Sequence, residues 1–424
     1  MPAPDELRRQ IGLGDAILLG LGSILGTGVF VSLGLAVGVA GHWAIGALGL
    51  ATFLATMNAL SSAQLAANHP VSGGTYAYGY HYLRPEFGFI AGLAFLMAKS
   101  ASAAAAAIGL VGYLVVLGGW DGVPVNWLAA GTVLLMTGLV AAGLRRANFV
   151  NALLVGVTLA ALVGLIGTAA MESSFFTAGD FTHLGQPDTP RLFEAGALLF
   201  VAFTGYGRIA TLGEEVVEPR RTIPRAIIVT LWVTGFLYLG VLLSGLAVLG
   251  GSGFAKEVQA SAAPLQAIAA ALGAPGLRVF LGLAAITAMA GVLLNLVLGL
   301  SRVAFAMGRQ GDAPSALANI NTRSEPFIAT LCVGGVIALI ALFGGLFMVW
   351  SFSAFTVLIY YAITNLAALQ LSDKERLYPR FVSVFGLVGC LGLSVWVTSS
   401  AILGGVVMLG GGLVLRGIFK RQVS

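Results

Sequence analysis

The sequence predicts an all-α membrane protein of about 12 transmembrane helices, and three observations carry that prediction. Of 424 residues, 58% are hydrophobic and 9% charged, with mean hydropathy +0.95; a soluble domain carries about 25% charged residues. The apolar runs are about 20 residues long, enough to cross a hydrocarbon core of about 30 Å. The basic residues are unevenly shared: with twelve spans, 17 of the 22 fall on one side, three on the other, and Lys99 and Arg208 inside spans. By the positive-inside rule the crowded side is cytoplasmic and holds both termini. A net charge of +5 spread over short loops is no nucleic-acid surface.

The spans read roughly 12–34, 42–66, 88–118, 126–143, 148–170, 193–213, 224–249, 276–306, 326–344, 346–370, 381–398 and 400–417. Residues 1–11 and 418–424 form the cytoplasmic ends. The first run is too long for a signal-peptide core and lacks a small-residue cleavage site, so it is expected to remain as a span. It contains GSILGTGVF, residues 22–30. Glycine weakens a helix by about 1 kcal/mol relative to alanine. Unpaired backbone is tolerated at that depth only where it lines a cavity or is buried in protein. Helix one is therefore expected to break there, although Gly22 and Gly26 also suit close packing alone.

Span three carries Lys99 in LMAKSASAAAAAIG, about 11 residues in and so roughly 16 Å deep at 1.5 Å per residue. A charge at the membrane centre costs at least about 2.5–3.5 kcal/mol. Lys99 is read either as a functional cation facing the bundle or as a snorkelling, hydroxyl-solvated packing residue. The alanine run after it is expected to face the site and leave room for a side chain.

Span six contains the second interruption, FVAFTGYGRIA at 200–210, about 180 residues after the first. Five spans separate the two, so 12–170 and 193–370 form two inverted repeats, with 381–417 an appended pair. A half-helix N-terminus suits a carboxylate and a half-helix C-terminus suits a cation. Two broken helices side by side thus suit a zwitterionic α-amino acid. Cys332 and Cys390 lie in apolar runs and read as inert packing residues; no disulfide, metal site or cofactor is implied.

Four ordered motifs are recognisable. GSILGTGVF resembles the first-helix motif of the amino acid–polyamine–organocation transporters, and VAFTGYGRIATLGEEVVEPRRTIPRA (201–226) resembles their sixth helix and following loop. PVSGGTYAYGYHYLRPEFGF (70–89) and SRVAFAMGRQGDAP (301–314) are similar to the family's second-to-third loop and end of helix eight. The resemblance covers nearly the whole chain. It implies the leucine-transporter fold, 5+5 inverted repeats plus two helices, and secondary transport of amino acids or related amines.

By that resemblance Thr27 and Gly28 hold the substrate carboxylate, flanked by Ser23 and Gly26. The Ile24 carbonyl receives the ammonium, as do those of Val201 and Thr204, beside Gly205. Phe203 is a wall or gate. Glu214, Glu215, Pro219, Arg220 and Pro224 match an inner-gate network; a solvated, positive-inside loop is the plainer reading.

The chain also departs from the pattern. Where relatives carry an acid two residues after the span-six glycine, this chain has Gly207 and then Arg208. That argues against a dedicated transporter of cationic amino acids or polyamines. Arg208 either pairs with Glu214 or Glu215, or faces the cavity and favours an anionic side chain. The family's helix-five lysine is replaced by Thr158, and its helix-eight hydroxyls by Ala290–Gly291, with Thr287 one turn away. Lys99 is expected to substitute for the missing lysine, as a fixed cation or a proton carrier.

An enzyme is disfavoured: the four histidines lie in or beside loops, and neither HExxH nor GxSxG occurs. A channel calls for a selectivity loop or rings of charge. The expectation is an inner-membrane permease working by alternating access on small or neutral amino acids, the alternative a polyamine or cationic exchanger. Its partners are the substrate, the bilayer and a proton or sodium ion, in a monomer or homodimer.

Overall fold

The computed structural model describes residues 11–69, 73–120, 122–143, 148–172, 188–211, 216–320 and 326–423. Over these residues the chain is helical, and its only extended pairing is a lone bridge between Ile11 and Val216. Eight segments are long and apolar enough to cross a membrane, and shorter apolar helices complete a twelve-crossing bundle.

Crossing one is broken into α1 (Leu13–Ile24), a π turn (Gly28–Ser32) and α2 (Leu33–Ala40). Crossing two is α3 (Ala44–Asn68), and a short α4 (Thr75–Tyr82) precedes crossing three, α5 (Pro85–Gly118). Crossings four and five are α6 (Val125–Ala141) and α7 (Asn148–Ala170). Crossing six is again broken: α8 (Thr189–Phe203), a 3-10 turn (Thr204–Tyr206) and α9 (Gly207–Thr211). Then come α10 (Pro219–Ser261), a short α11 (Pro264–Ala271) and α12 (Pro275–Arg309). The last four crossings are α13 (Phe327–Phe343), α14 (Leu346–Leu369), α15 (Arg380–Ser394) and α16 (Ser399–Val423).

Local chemistry sets these boundaries. Proline stands in the first turn of α5, α8, α10, α11 and α12, where its missing N–H costs nothing. Asp188 caps α8, its carboxylate accepting from the Arg191 N–H at 3.5 Å. Gly119, in the left-handed region, ends α5. Helix α5 is the central post, packed most extensively on α12 and α14. Large apolar side chains such as Trp127, Phe149, Phe343 and Leu403 lie exposed on the outside, as a lipid-facing surface requires.

The structure corrects several expectations. Ala103–Ala107 are buried in packing and do not line the cavity described below. The loop between spans two and three contains α4. Helix α10 runs twelve residues beyond the expected end of span seven, through a kink at Gly250 with φ +67°. Cys390 is buried, but Cys332 lies exposed on α13 rather than packed. Arg416, counted among the loop charges, has a side chain only 6% exposed.

Candidate functional site

The two breaks meet. Helix α1 packs against the 3-10 turn of crossing six and against α9. A Cβ on Gly205 would strike the Ser23 carbonyl oxygen, so only glycine lets the two backbones approach this closely. A Cβ on Gly28 would lie 2.6 Å from the Tyr238 hydroxyl and 2.9 Å from the Ala202 Cβ. Gly205 and Gly28 thus allow close packing at the points where the two helices are interrupted, while Gly22 and Gly26 pack against Asn151 and Val292.

A cavity of about 260 Å³ opens beside the breaks. Ser23, Ile24, Gly26, Thr27 and Gly28 line it from crossing one, and Val201, Thr204, Gly205, Gly207 and Arg208 from crossing six. Lys99 and Ser102 of α5 close another side. Trp350 of α14 lines it too, its indole N–H donating to the Leu198 carbonyl at 2.9 Å. In the other direction the lining reaches Arg302 and Gly73, toward the face that carries α4. No Asp or Glu stands among the described lining residues.

The polar groups of this wall divide sharply. On crossing one, a hydroxyl is left open. Thr27 is 4% exposed, and its Oγ1 has no hydrogen-bond partner among the described residues. It stands where the chain leaves α1 and enters the π turn: the Leu25 N–H reaches the Leu21 carbonyl at 2.8 Å, and the Val29 N–H the Gly26 carbonyl at 3.1 Å. A free hydroxyl at the start of a helix is a group that suits an anion. The Ser23 hydroxyl is spent on its own helix, donating to the Leu19 carbonyl at 2.8 Å.

The carbonyl acceptors, by contrast, are engaged. The Ile24 oxygen receives the Gly26 N–H at 2.9 Å, and the single Tyr238 hydroxyl proton is shared between it, at 3.2 Å, and the Ala202 carbonyl, at 3.0 Å. Val201 receives both the N–H of Thr204 and its hydroxyl, the latter at 2.7 Å. Thr204 shares the Gly207 N–H with the Gly205 carbonyl and receives the Tyr361 hydroxyl at 3.3 Å. A carbonyl has two lone pairs, so among the expected ammonium acceptors Val201 is full, and Ile24 and Thr204 each hold one donor outright and share a second. Lys99 takes the remaining place at this break: its Nζ donates to Thr204 Oγ1 at 2.8 Å.

Two expected residues stand apart from the cavity. Phe203 is fully buried behind the lining, its ring 5.0 Å from that of Tyr238. It is a packing residue of α8 and α10 rather than an exposed gate. Thr158 is buried and its hydroxyl bonds back to the Leu154 carbonyl at 2.8 Å. Thr287 likewise bonds back within α12. Glu214 and Glu215 lie outside the described residues, as do Arg145, Arg146, His183, Arg323 and residues 1–10, so the inner-gate network is left as an expectation. Among the described residues no cluster of His, Cys, Asp and Glu could hold a metal ion.

Sequence reasoning missed the wall contributed by α12: Val292, Asn295, Leu296, Gly299, Leu300 and Val303. Their spacing is i, i+3, i+4, i+7, i+8, i+11, one face of a helix. A polar Asn295 and a small Gly299 within that stripe are the signal that could have found it. Tyr360 and Tyr361 on α14 were missed because nothing local sets them apart from other buried aromatics.

The amino acid permease family model matches residues 15–417. An uncharacterized transporter of Mycobacterium tuberculosis is 38% identical over 420 residues, which cover 98% of this chain and 92% of the relative. A branched-chain amino acid permease of Bacillus subtilis is 27% identical over 453 residues, covering 99% and 94%. Human cationic amino acid transporter 4 is 28% identical over 401 residues, covering 88% of this chain and 61% of the relative.

Proposed function

We propose that this chain, which belongs to the amino acid permease family, carries a free amino acid across the inner membrane by alternating access, gripping its α-carboxylate at Thr27 and Gly28. Transport of amino acids is the activity of the family, and the chain is a transporter rather than an enzyme. One observation carries the choice of grip: the buried Thr27 hydroxyl lines the cavity at the helix break without a hydrogen-bond partner among the described residues. The ammonium would sit across the cavity at the crossing-six break. To reach the Val201 carbonyl it must turn the Thr204 hydroxyl aside, so binding there is an exchange of donors rather than the filling of an open place.

Among the described residues the wall lacks an acid, which favours neutral or anionic side chains over cationic ones or polyamines. The alanine run lies elsewhere and gives no reason for a small side chain. Lys99, bound to the crossing-six break, acts as the fixed cation that couples α5 to that break. Residues 12–170 and 193–370 act as the inverted repeats that rock against each other, with both termini cytoplasmic.

The test is uptake of labelled amino acids by proteoliposomes. A charged hydrogen bond contributes about 1.5–3 kcal/mol, so Thr27→Val is expected to raise KM roughly 10- to 100-fold. Wild-type kinetics for Thr27→Val would overturn the carboxylate assignment.

A further inference from the structure

The polar inventory of the cavity is lopsided, and the imbalance concerns charge. The open group is a hydroxyl, Thr27 Oγ1. Among the backbone acceptors that would receive an ammonium, Val201 holds two donors already, and Ile24 and Thr204 each hold one and share a second. Lys99 adds a cation whose hydrogen-bond acceptor among the described residues, Thr204 Oγ1, is neutral. Arg302 lines the same cavity, and no carboxylate does among the described residues. An ammonium ion in such a cavity meets engaged acceptors and a like charge. An anion meets an open hydroxyl on one wall and a cation on the other.

A zwitterion with an uncharged side chain answers only half of this. Its carboxylate would occupy the Thr27 cradle, but its ammonium would stand beside Lys99 with nothing between them. A second carboxylate placed between the substrate ammonium and Lys99 resolves the conflict. It neutralises both cations and gives Lys99 the charged partner that a buried cation requires. We infer that the substrate is an amino acid with an acidic side chain, its α-carboxylate on Thr27 and Gly28 and its side-chain carboxylate against Lys99. This rests on the reading of Thr27 and Gly28 as the α-carboxylate cradle.

Glutamate and glutamine, or aspartate and asparagine, differ in charge at nearly constant shape, so paired affinities isolate the effect of Lys99. The experiment is ligand-induced thermal stabilisation of the full-length, detergent-solubilised protein at pH 7, repeated as competition against labelled substrate in proteoliposomes. The expected result is that glutamate or aspartate binds at least roughly tenfold more tightly than its amide, the scale of a paired buried charge. Lys99→Met is expected to bring that ratio near one, and Lys99→Arg to preserve it. Equal affinity for acid and amide in the wild type overturns the inference and leaves the amino acid carrier intact. Binding of no amino acid at all overturns both. Should Lys99→Met fail to fold, the wild-type ratio and Lys99→Arg still decide the matter.

Discussion

His69 follows the last residue of α3, and its ring stacks on His81 at 4.2 Å with 12° between the planes. Tyr78 and Tyr82 of α4 meet the His69 ring edge-on. The Glu375 carboxylate interacts with the charge of His81, and Arg220 donates to the Oδ1 of the neighbouring Asn68 at 2.9 Å. Burial, and after it the His81 charge, hold His69 below the ordinary histidine range. A base whose pKa is depressed by folding is protonated more readily in the unfolded chain. Its contribution to stability is therefore complete above the unfolded value of about 6.5 and is lost as pH falls through the folded value. Melting temperature should fall on acidification below about pH 6.5, and His69→Gln should flatten that part of the curve. Identical acid limbs in the two proteins would rule this out. At this scale the sequence was partly legible. Thr27 announced itself as a hydroxyl inside a broken apolar helix. The saturation of Val201 was hidden, because it depends on which way the Thr204 hydroxyl points.

The two interrupted crossings were the most legible elements, since glycine, serine and threonine inside an apolar run have a backbone cost that packing must justify. What the sequence did not disclose was which glycine does which work. Gly205 faces the Ser23 carbonyl, a backbone group that cannot swing away, whereas the nearest atom to a Cβ on Gly207 is the Tyr361 hydroxyl at 3.1 Å, the tip of a side chain. Gly205→Ala should therefore cost about 1–3 kcal/mol of stability, as overpacking does, and abolish uptake by prising the breaks apart. Gly207→Ala should transport at a rate near the wild type. Equal behaviour of the two variants in the same uptake assay would mean that the breaks do not depend on close contact. Short helices were less legible than broken ones. Helix α4 has eight residues and α11 eight, too few for periodicity to separate them from loops. The extension of α10 was obscured by Lys256 and Glu257, whose charges mark the end of an apolar run but do not end a helix.

At the scale of the whole bundle, twelve crossings could be counted because each is an apolar run of membrane length and the basic loops alternate with it. The ties that join distant crossings could not be read, and the Asp312–Arg416 junction is the strongest example. Arg416 of α16 donates from Nε to Asp312 Oδ1 at 2.8 Å and from Nη2 to the Tyr80 hydroxyl at 3.0 Å. The Tyr76 hydroxyl donates to Asp312 Oδ2 at 2.9 Å, and Tyr80 donates to the same oxygen. The guanidinium also lies 5.0 Å from the centre of the Phe89 ring of α5. The side chain of Asp312 is 0% exposed and that of Arg416 6%. One buried ion pair thus fastens α16 to α4, to α5 and to the segment after α12. In sequence Arg416 is one more basic residue near the end of the chain; only burial and pairing distinguish it. Removing one partner strands a buried charge, so Arg416→Met should destabilise the protein by about 3–5 kcal/mol. Replacing both, Asp312→Asn with Arg416→Met, removes the stranded charge as well as the attraction. The double variant should therefore melt closer to wild type than the sum of the two singles, with a coupling of about 0.5–3 kcal/mol. Strict additivity in thermal unfolding of the detergent-solubilised protein would show that α16 is held by apolar packing alone. Non-additive melting would instead mean that the appended pair of crossings is anchored through Asp312, on the segment that leads out of α12 and so continues directly from the cavity wall.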